Sequence, residues 1–272
     1  ATVCLLFYFG MTIFNRNVAW LASIFAAGYP QFLYYTAYPA RETWQTFIMA
    51  CAIFATLKAL YKPANKSFMV AAFLWALCPL TNSALLPAGV FVGAGIWLWG
   101  KRKRKNYTGW TALFLVVMLG TYALWPVRNY FALDRFILGI SEGGAHLYVS
   151  LIVPNDASGT PEERKYVAAD PVLQYAPNLP EEERDRYFYN AAIKKILSEP
   201  LAFAGICVGS FIKLWRLYPY ERNYNVNYRL VKIVSLLSDG WLIPLAFIGL
   251  FLSFGKYPEL EIINLSLLAI TV

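Results

Sequence analysis

The chain has 272 residues, of which 58% are hydrophobic, 17% aromatic and only 15% charged, with a net charge of +8. An ordinary soluble domain carries about 25% charged residues, so this composition excludes one and points to a membrane protein. Nucleic acid is excluded as a partner on the same grounds, because the positive charges stand beside apolar spans, where an orientation rule accounts for them.

Several long apolar runs carry no charge and no strand alternation. Every backbone polar group inside ~30 Å of hydrocarbon must be paired within its own segment, so these runs read as helices. In chain order they begin with Ala1 to Phe14, ended by Asn15-Arg16-Asn17, and Val18 to Tyr35. After the connection Tyr38-Pro39-Ala40-Arg41-Glu42 comes Thr43 to Leu60. Two shorter runs, Phe68 to Leu80 and Ala84 to Trp99, are hinged at Pro79-Leu80-Thr81-Asn82-Ser83, and Trp110 to Trp125 follows the basic run 101–105. The chain starts at Ala1 inside one apolar run and stops at Val272 inside another, and is expected to be an internal piece of a longer protein.

Residues 126–238 form the one long polar segment and hold 13 of the 24 Lys and Arg. Within it, Asn178-Leu179-Pro180-Glu181-Glu182-Glu183 is a helix start, with Pro suited to the first turn and carboxylates complementing the dipole. Phe188, Ala192, Ile193, Ile196 and Leu197 then make an apolar stripe, ended by Pro200, that needs a membrane surface or the mouth of a bundle to cover it. The expected organisation is therefore 1–125 membrane helices, 126–238 an outer segment with amphipathic helices, and 239–272 further membrane helices.

Alternating the sides of the spans puts Arg16, Lys58, Lys62, Lys66 and residues 101–105 on one face, with Arg41 alone in the short loops of the other. The positive-inside rule makes the first face cytoplasmic, so the long segment faces out. The sequons Asn65-Lys66-Ser67 and Asn106-Tyr107-Thr108 then lie inside and stay unmodified. Leu201 to Ile212 reaches only ~18 Å as a helix. If it crossed, the next span would run from about Leu230 and bury Asp239 at ~2.5 to 3.5 kcal/mol. If Leu201 to Tyr218 instead lies along the outer interface, Asp239 starts the span Trp241 to Phe254 and Lys256 falls inside, which is the expectation adopted.

Ion-coupled transporters carry ionisable groups near mid-membrane, and the complete spans as read here have none. Polar candidates gather instead at the outer ends of spans: Arg41-Glu42, Thr81-Asn82-Ser83, Arg128-Asn129, and Glu142 and His146 in the loop. Arg128 sits at headgroup depth, where a guanidinium forks onto phosphate or simply anchors a span. Gly143-Gly144 lets backbone approach a ligand, or forms a plain turn. Glu42 pairs locally with Arg41 or faces the site. His146 is the only histidine, and Cys4, Cys51, Cys78 and Cys207 are apolar-context cysteines without ligand spacing, so no metal, disulfide or cofactor is expected.

In their order, five features resemble the GT-C membrane glycosyltransferases, in particular the dolichyl-phosphate-mannose protein mannosyltransferase-like group that includes the aminoarabinose transferases. They are Arg41-Glu42-Thr43, the short helix ending Leu80-Thr81-Asn82, Trp125-Pro126-Val127-Arg128-Asn129-Tyr130, Glu142-Gly143-Gly144-Ala145-His146-Leu147-Tyr148, and Ser198-Glu199-Pro200. The resemblance implies an all-α multi-span bundle in a bacterial or archaeal plasma membrane. It implies transfer of a sugar from a polyprenyl-phosphate donor to an acceptor on the outer side, with membrane lipids as the other partner. It places Arg128, with Asn129 and Tyr130, near the donor phosphate and Glu42 near the outer cavity. Two departures stand out: Asn82 occupies the position of a family arginine, and the acidic base is expected upstream of Ala1. A lipid-sugar flippase or other transporter, and a structural membrane scaffold, are the competing readings.

Overall fold

In a computed structural model, the chain is described at residues 1–37, 41–134, 137–139, 142–154, 156–218, 227–253 and 264, with only the backbone at 181 and 182. These residues contain helices and no strand. The chain divides into two units, one of Ala1–Gly139 with the residues from Leu245 on, the other Ile140–Pro244. The expectations for the Tyr38-Pro39-Ala40 connection, for residues 219–226 of the outer segment and for Lys256 lie outside the described residues.

The first unit opens with a hairpin of α1 (Thr2–Ile13) and α2 (Arg16–Ala27). Asn15 caps α2 by accepting from Val18 N–H at 3.0 Å, as its residue type favours. Gly10 lets the two backbones meet, since a Cβ there would lie 2.7 Å from Ala19 Cα. The single span expected over Val18 to Tyr35 is instead two helices, α2 and α3 (Pro30–Ala37). The break falls at Gly28-Tyr29, where Pro30 has no N–H to continue the ladder and biases the residue before it away from helix.

Four helices follow: α4 (Arg41–Tyr61), α5 (Asn65–Thr81), α6 (Leu86–Arg102) and α7 (Thr108–Leu133), with a 3-10 turn over Ser83–Leu85 before α6. The hinge expected at Pro79 to Ser83 is where α5 ends and that turn begins. Residues of α5 form the centre of the group, with Phe68, Ala71, Ala72, Trp75, Ala76 and Cys78 buried. The Trp75 indole N–H donates to Thr56 Oγ1 at 3.0 Å, and that hydroxyl donates to Ala52 C=O at 2.8 Å, so the polar atoms of the α4–α5 seam are satisfied. On the other side α6 comes close to α7 through small residues: a Cβ on Gly93 would sit 2.7 Å from Leu115 Cδ2. Trp110 Nε1 donates to Asn65 Oδ1 at 3.0 Å, which sets the starts of α5 and α7 side by side. The ends of α5 and α7 therefore share the opposite end of the group with the starts of α4 and α6.

The span expected to stop at Trp125 runs on. Pro126 lies inside α7, which continues two turns to Leu133 and ends at Asp134 in the left-handed region, φ 52°. Its buried stripe is Phe114, Met118, Tyr122, Pro126 and Asn129, a helical spacing that the proline does not interrupt. A proline within a long apolar helix is tolerated where neighbours satisfy the freed carbonyl.

In the second unit α8 (Gly143–Ile152) packs on α11 (Glu181–Ser198), with the short helices α9 (Glu163–Ala169) and α10 (Pro171–Tyr175) between them in the chain. The apolar stripe expected on α11 is split. Phe188, Ala192 and Ile196 are covered by Tyr148 and Leu151 of α8 and by Ala176, whereas Ile193 and Leu197 are exposed. A partner within the same unit, rather than a membrane or bundle mouth, thus takes three of its five residues. At Glu199 the chain bends by 105° into α12 (Pro200–Leu214), whose Leu201 is 87% exposed and which has no buried residue.

The last helix, α13 (Tyr228–Ser253), passes from the second unit into the first. It corrects the reading of Asp239 as the start of a span over Trp241 to Phe254, because the helix begins eleven residues earlier and Asp239, 7% exposed, lies in its interior. Among the described residues, four helices are long and apolar enough to cross a membrane: α4, α6 together with its 3-10 turn, α7 and α13.

Candidate functional site

Six of the eight candidate residues lie at one end of the α4–α7 group, where the start of α4 and the ends of α5 and α7 converge. Arg41 and Glu42 open α4 as expected, with Nε to Oε1 at 3.7 Å. Both side chains are largely in the open, and such a pair contributes about 0 to 1 kcal/mol. Asn82 is the extended residue after α5; its Oδ1 accepts from Ala84 N–H at 3.2 Å, and its Nδ2 lies 3.5 Å from Gln45 Oε1. An arginine at this position would offer charge to a ligand, whereas this asparagine caps the turn that starts α6.

Because α7 continues through Pro126, Arg128, Asn129 and Tyr130 stand on helix rather than in a loop. Asn129 points inward and is 3% exposed. Its Nδ2 donates to Ile137 C=O at 3.2 Å, and its Oδ1 accepts from Arg128 NH1 at 3.1 Å. Tyr122, two turns earlier on the same stripe, donates its hydroxyl to Leu138 C=O. Gly139 then meets Ser83, where an added Cβ would come within 2.6 Å of the serine Cβ. Residues 137–139 are therefore folded back over the end of the group and held by Asn129 and Tyr122.

Arg128 faces outward. Its guanidinium lies 5.7 Å from the Trp125 ring centre, and the bond to Asn129 occupies one of its five N–H donors, which fixes the fork while leaving most of it presented to solvent. Tyr130 is exposed beside it, edge-on to Phe131. This is a cation on a rigid mount at the end of an apolar helix, suited to a phosphate by charge and by the planar geometry of the fork.

Glu142 and His146 belong to the second unit, exposed on the first turn of α8. Gly143 and Gly144 serve helix packing here: a Cβ on Gly144 would strike the backbone oxygen of Asp185, and one on Gly143 the hydroxyl of Tyr189. The Gly144 N–H donates to Asp185 Oδ1 at 2.7 Å, so a carboxylate of α11 occupies the start of α8. Among the described residues no group of three His, Cys, Asp or Glu could hold a metal.

Gln45, Tyr122 and Asp185 were missing from the sequence reading. Tyr122 and Asn129 are seven apart on one face, a signal readable only once α7 is carried past its proline. Gln45 and Asp185 have no local signal, since their partners lie 37 and 41 residues away in the chain. No family model matches the chain, and no curated protein or solved structure matches it either.

Proposed function

We propose that the chain acts in a GT-C type glycosyltransferase, moving a sugar from a polyprenyl-phosphate donor to a lipid, glycan or protein acceptor at the outer face of a bacterial or archaeal plasma membrane. The observation that carries this reading is Arg128, an exposed guanidinium oriented by Asn129 and Trp125 at the end of an apolar helix. In this reading α4, α5, α6, α7 and α13 cross the membrane, α5 returning the chain to the outer side; the end bearing Arg41, Asn82 and Arg128 faces out, and the end bearing residues 101–105 faces in. The segment from Glu142 to Tyr218 lies on the outer side, with α12 along the interface.

The chemistry is a displacement at the sugar carbon. The acceptor oxygen bonds to that carbon as the bond to the phosphate oxygen breaks, the electron pair leaves with the lipid phosphate, and a carboxylate takes the acceptor proton, giving inversion. Arg128 stabilises the departing phosphate by charge and fork geometry. No nucleotide-binding fold is needed, because the lipid brings the sugar to the membrane surface.

Asp239 favours a second reading. An ionisable residue inside an apolar helix marks a proton or substrate path in transporters, and a lipid-linked sugar flippase would use one. The test uses purified full-length protein in detergent with a panel of polyprenyl-phosphate sugars, no ion gradient and no nucleotide sugar. Sugar transfer is expected, without added divalent metal. Donors left intact but moved between leaflets of a vesicle would replace the transferase with the flippase.

A further inference from the structure

Opposite the Arg128 end, the α4–α7 group brings together two cationic turns that are far apart in sequence. Lys58, Lys62 and Lys66 surround the α4–α5 connection, and Lys101 and Arg102 at the end of α6 run into Lys103, Arg104 and Lys105 of the α6–α7 connection. All eight are exposed. From Thr43 to Leu133 the sequence has no carboxylate, so the stretch of chain that builds this end is cationic throughout.

The two turns are fixed against each other. Phe68 of α5 stacks on Trp110 of α7 with centroids 5.5 Å apart, and Tyr107 is edge-on to both, at 6.2 and 4.8 Å. Gly100 admits Tyr107 to the end of α6, where a Cβ would lie 2.6 Å from Tyr107 Cβ. The basic run itself is a closed turn: Lys105 N–H donates to Gly100 C=O at 2.9 Å, Arg104 N–H to Lys101 C=O at 3.1 Å, and Arg104 is left-handed at φ 53°. Lys101 and Lys103 lie 3.6 and 4.9 Å from the Trp97 and Trp99 ring centres, the pairing of aromatic and cation found at a membrane boundary.

An orientation signal needs only net positive charge in a connection, and a loose loop would provide it. Here eight cations stand on two connections fixed to one rigid end, and like charges gathered there repel, a cost that an anionic partner at the same depth removes. We propose that this end of the α4–α7 group binds phosphate headgroups of anionic phospholipids in the leaflet it faces. The apolar outer faces of α6 and α7, with Phe91, Leu98, Val116 and Leu119 exposed, supply the acyl-chain side of the same lipids. The inference rests on the membrane reading above and not on the transferase one.

The experiment mixes the full chain in detergent with equal phosphatidylglycerol and phosphatidylcholine and counts retained lipids by native mass spectrometry. Phosphatidylglycerol is expected to be retained about tenfold over phosphatidylcholine, with the preference shrinking as salt rises. The variant Lys62→Gln, Lys66→Gln, Arg102→Gln, Arg104→Gln is expected to lose it, and Lys62→Arg with Lys66→Arg to keep it. A photocrosslinker at Thr108 should capture phosphatidylglycerol and one at Leu133 should not, a positional readout that does not depend on the fourfold variant folding. Equal retention of the two lipids, unchanged preference in the fourfold variant, or displacement of the lipid by glycerol phosphate would overturn the proposal; the last would make this a soluble-phosphate site. If the chain enters no vesicle or micelle at all, the membrane reading falls with it.

Discussion

The Tyr148 hydroxyl donates to the Asp170 carboxylate, 3.1 and 3.3 Å from its two oxygens, and Oδ1 of the same carboxylate accepts the Val172 and Leu173 N–H groups that begin α10. One acid thus ties the buried face of α8 to the chain between α9 and α11. Burial, then the nearby carboxylate charge and its hydrogen bond, push the Tyr148 phenol up to about 12 from an ordinary 10.0. The raised value means that the folded state holds its proton longer than the unfolded state. This contribution to stability is complete below about 10 and is lost as pH rises through about 12. Urea midpoints followed by near-UV circular dichroism should fall across that window, and Tyr148→Phe should flatten the fall while lowering the neutral-pH midpoint. A parallel fall in both proteins would show that Tyr148 is not its source.

Arg128 should be sensitive to shape as well as charge. Arg128→Lys keeps the cation but loses the planar fork and should remove most of the transfer activity of the full-length protein; Arg128→Ala should remove more. Both should keep the wild-type melting profile, because the side chain is exposed. Wild-type turnover by the alanine variant would reduce Arg128 to an anchor.

Asn129 should behave oppositely. Asn129→Leu leaves the Ile137 carbonyl without its donor and should cost about 1 to 3 kcal/mol. Hydrogen exchange at residues 137–139 should rise before global unfolding, and Tyr122→Phe should raise it in the same segment. Unchanged exchange in both variants would mean that other contacts hold those residues.

The two glycines of α8 should differ. Gly144→Ala drives a methyl into a backbone oxygen of α11, which cannot step aside, and overpacking of this kind costs about 1 to 3 kcal/mol. Gly143→Ala meets only the hydroxyl end of Tyr189, which can rotate, and should be milder. Chemical denaturation of the two variants decides this, and equal midpoints would count against the α8–α11 contact.

Topology is checked by single cysteines at Ala168 and Asn227, in a background with the four native cysteines replaced. Both should react with an impermeant reagent from outside. Labelling at 168 with protection at 227 would mean that α12 crosses the membrane.

What the sequence disclosed follows from local physics. The starts of α4 at Arg41 and of α11 after Pro180, and the break between α5 and α6, are legible because helix-start residues and a proline near a polar cluster act over a single turn. The basic connections are legible because a cluster of charges is costly inside a span. What failed depends on where a helix stops despite its residues. Pro126 was read as an end, yet the stripe through Tyr122 and Asn129 continues because packing outweighs one missing backbone bond. Asp239 fails as a start for the same reason in reverse: a charge reads as a boundary, while the residues before it from Tyr228 on, Lys232 among them, already belong to the helix. At Arg128 the residue was legible and its mount was not, since the Asn129 bond to Ile137 needs a chain reversal that no local pattern announces.

The length of α7 has a further consequence in a bilayer. From Trp110 to Arg128 the helix rises about 27 Å, close to the ~30 Å of a hydrocarbon core, and the remaining residues to Leu133 overshoot it. Crossing as proposed, the helix works as a depth gauge: with its first turn held by Trp110 and Tyr107, lipid thickness sets how far the guanidinium clears the oil. Longer acyl chains should submerge it and shorter ones lift it free, so membrane thickness becomes a control on this cation without any change in the protein.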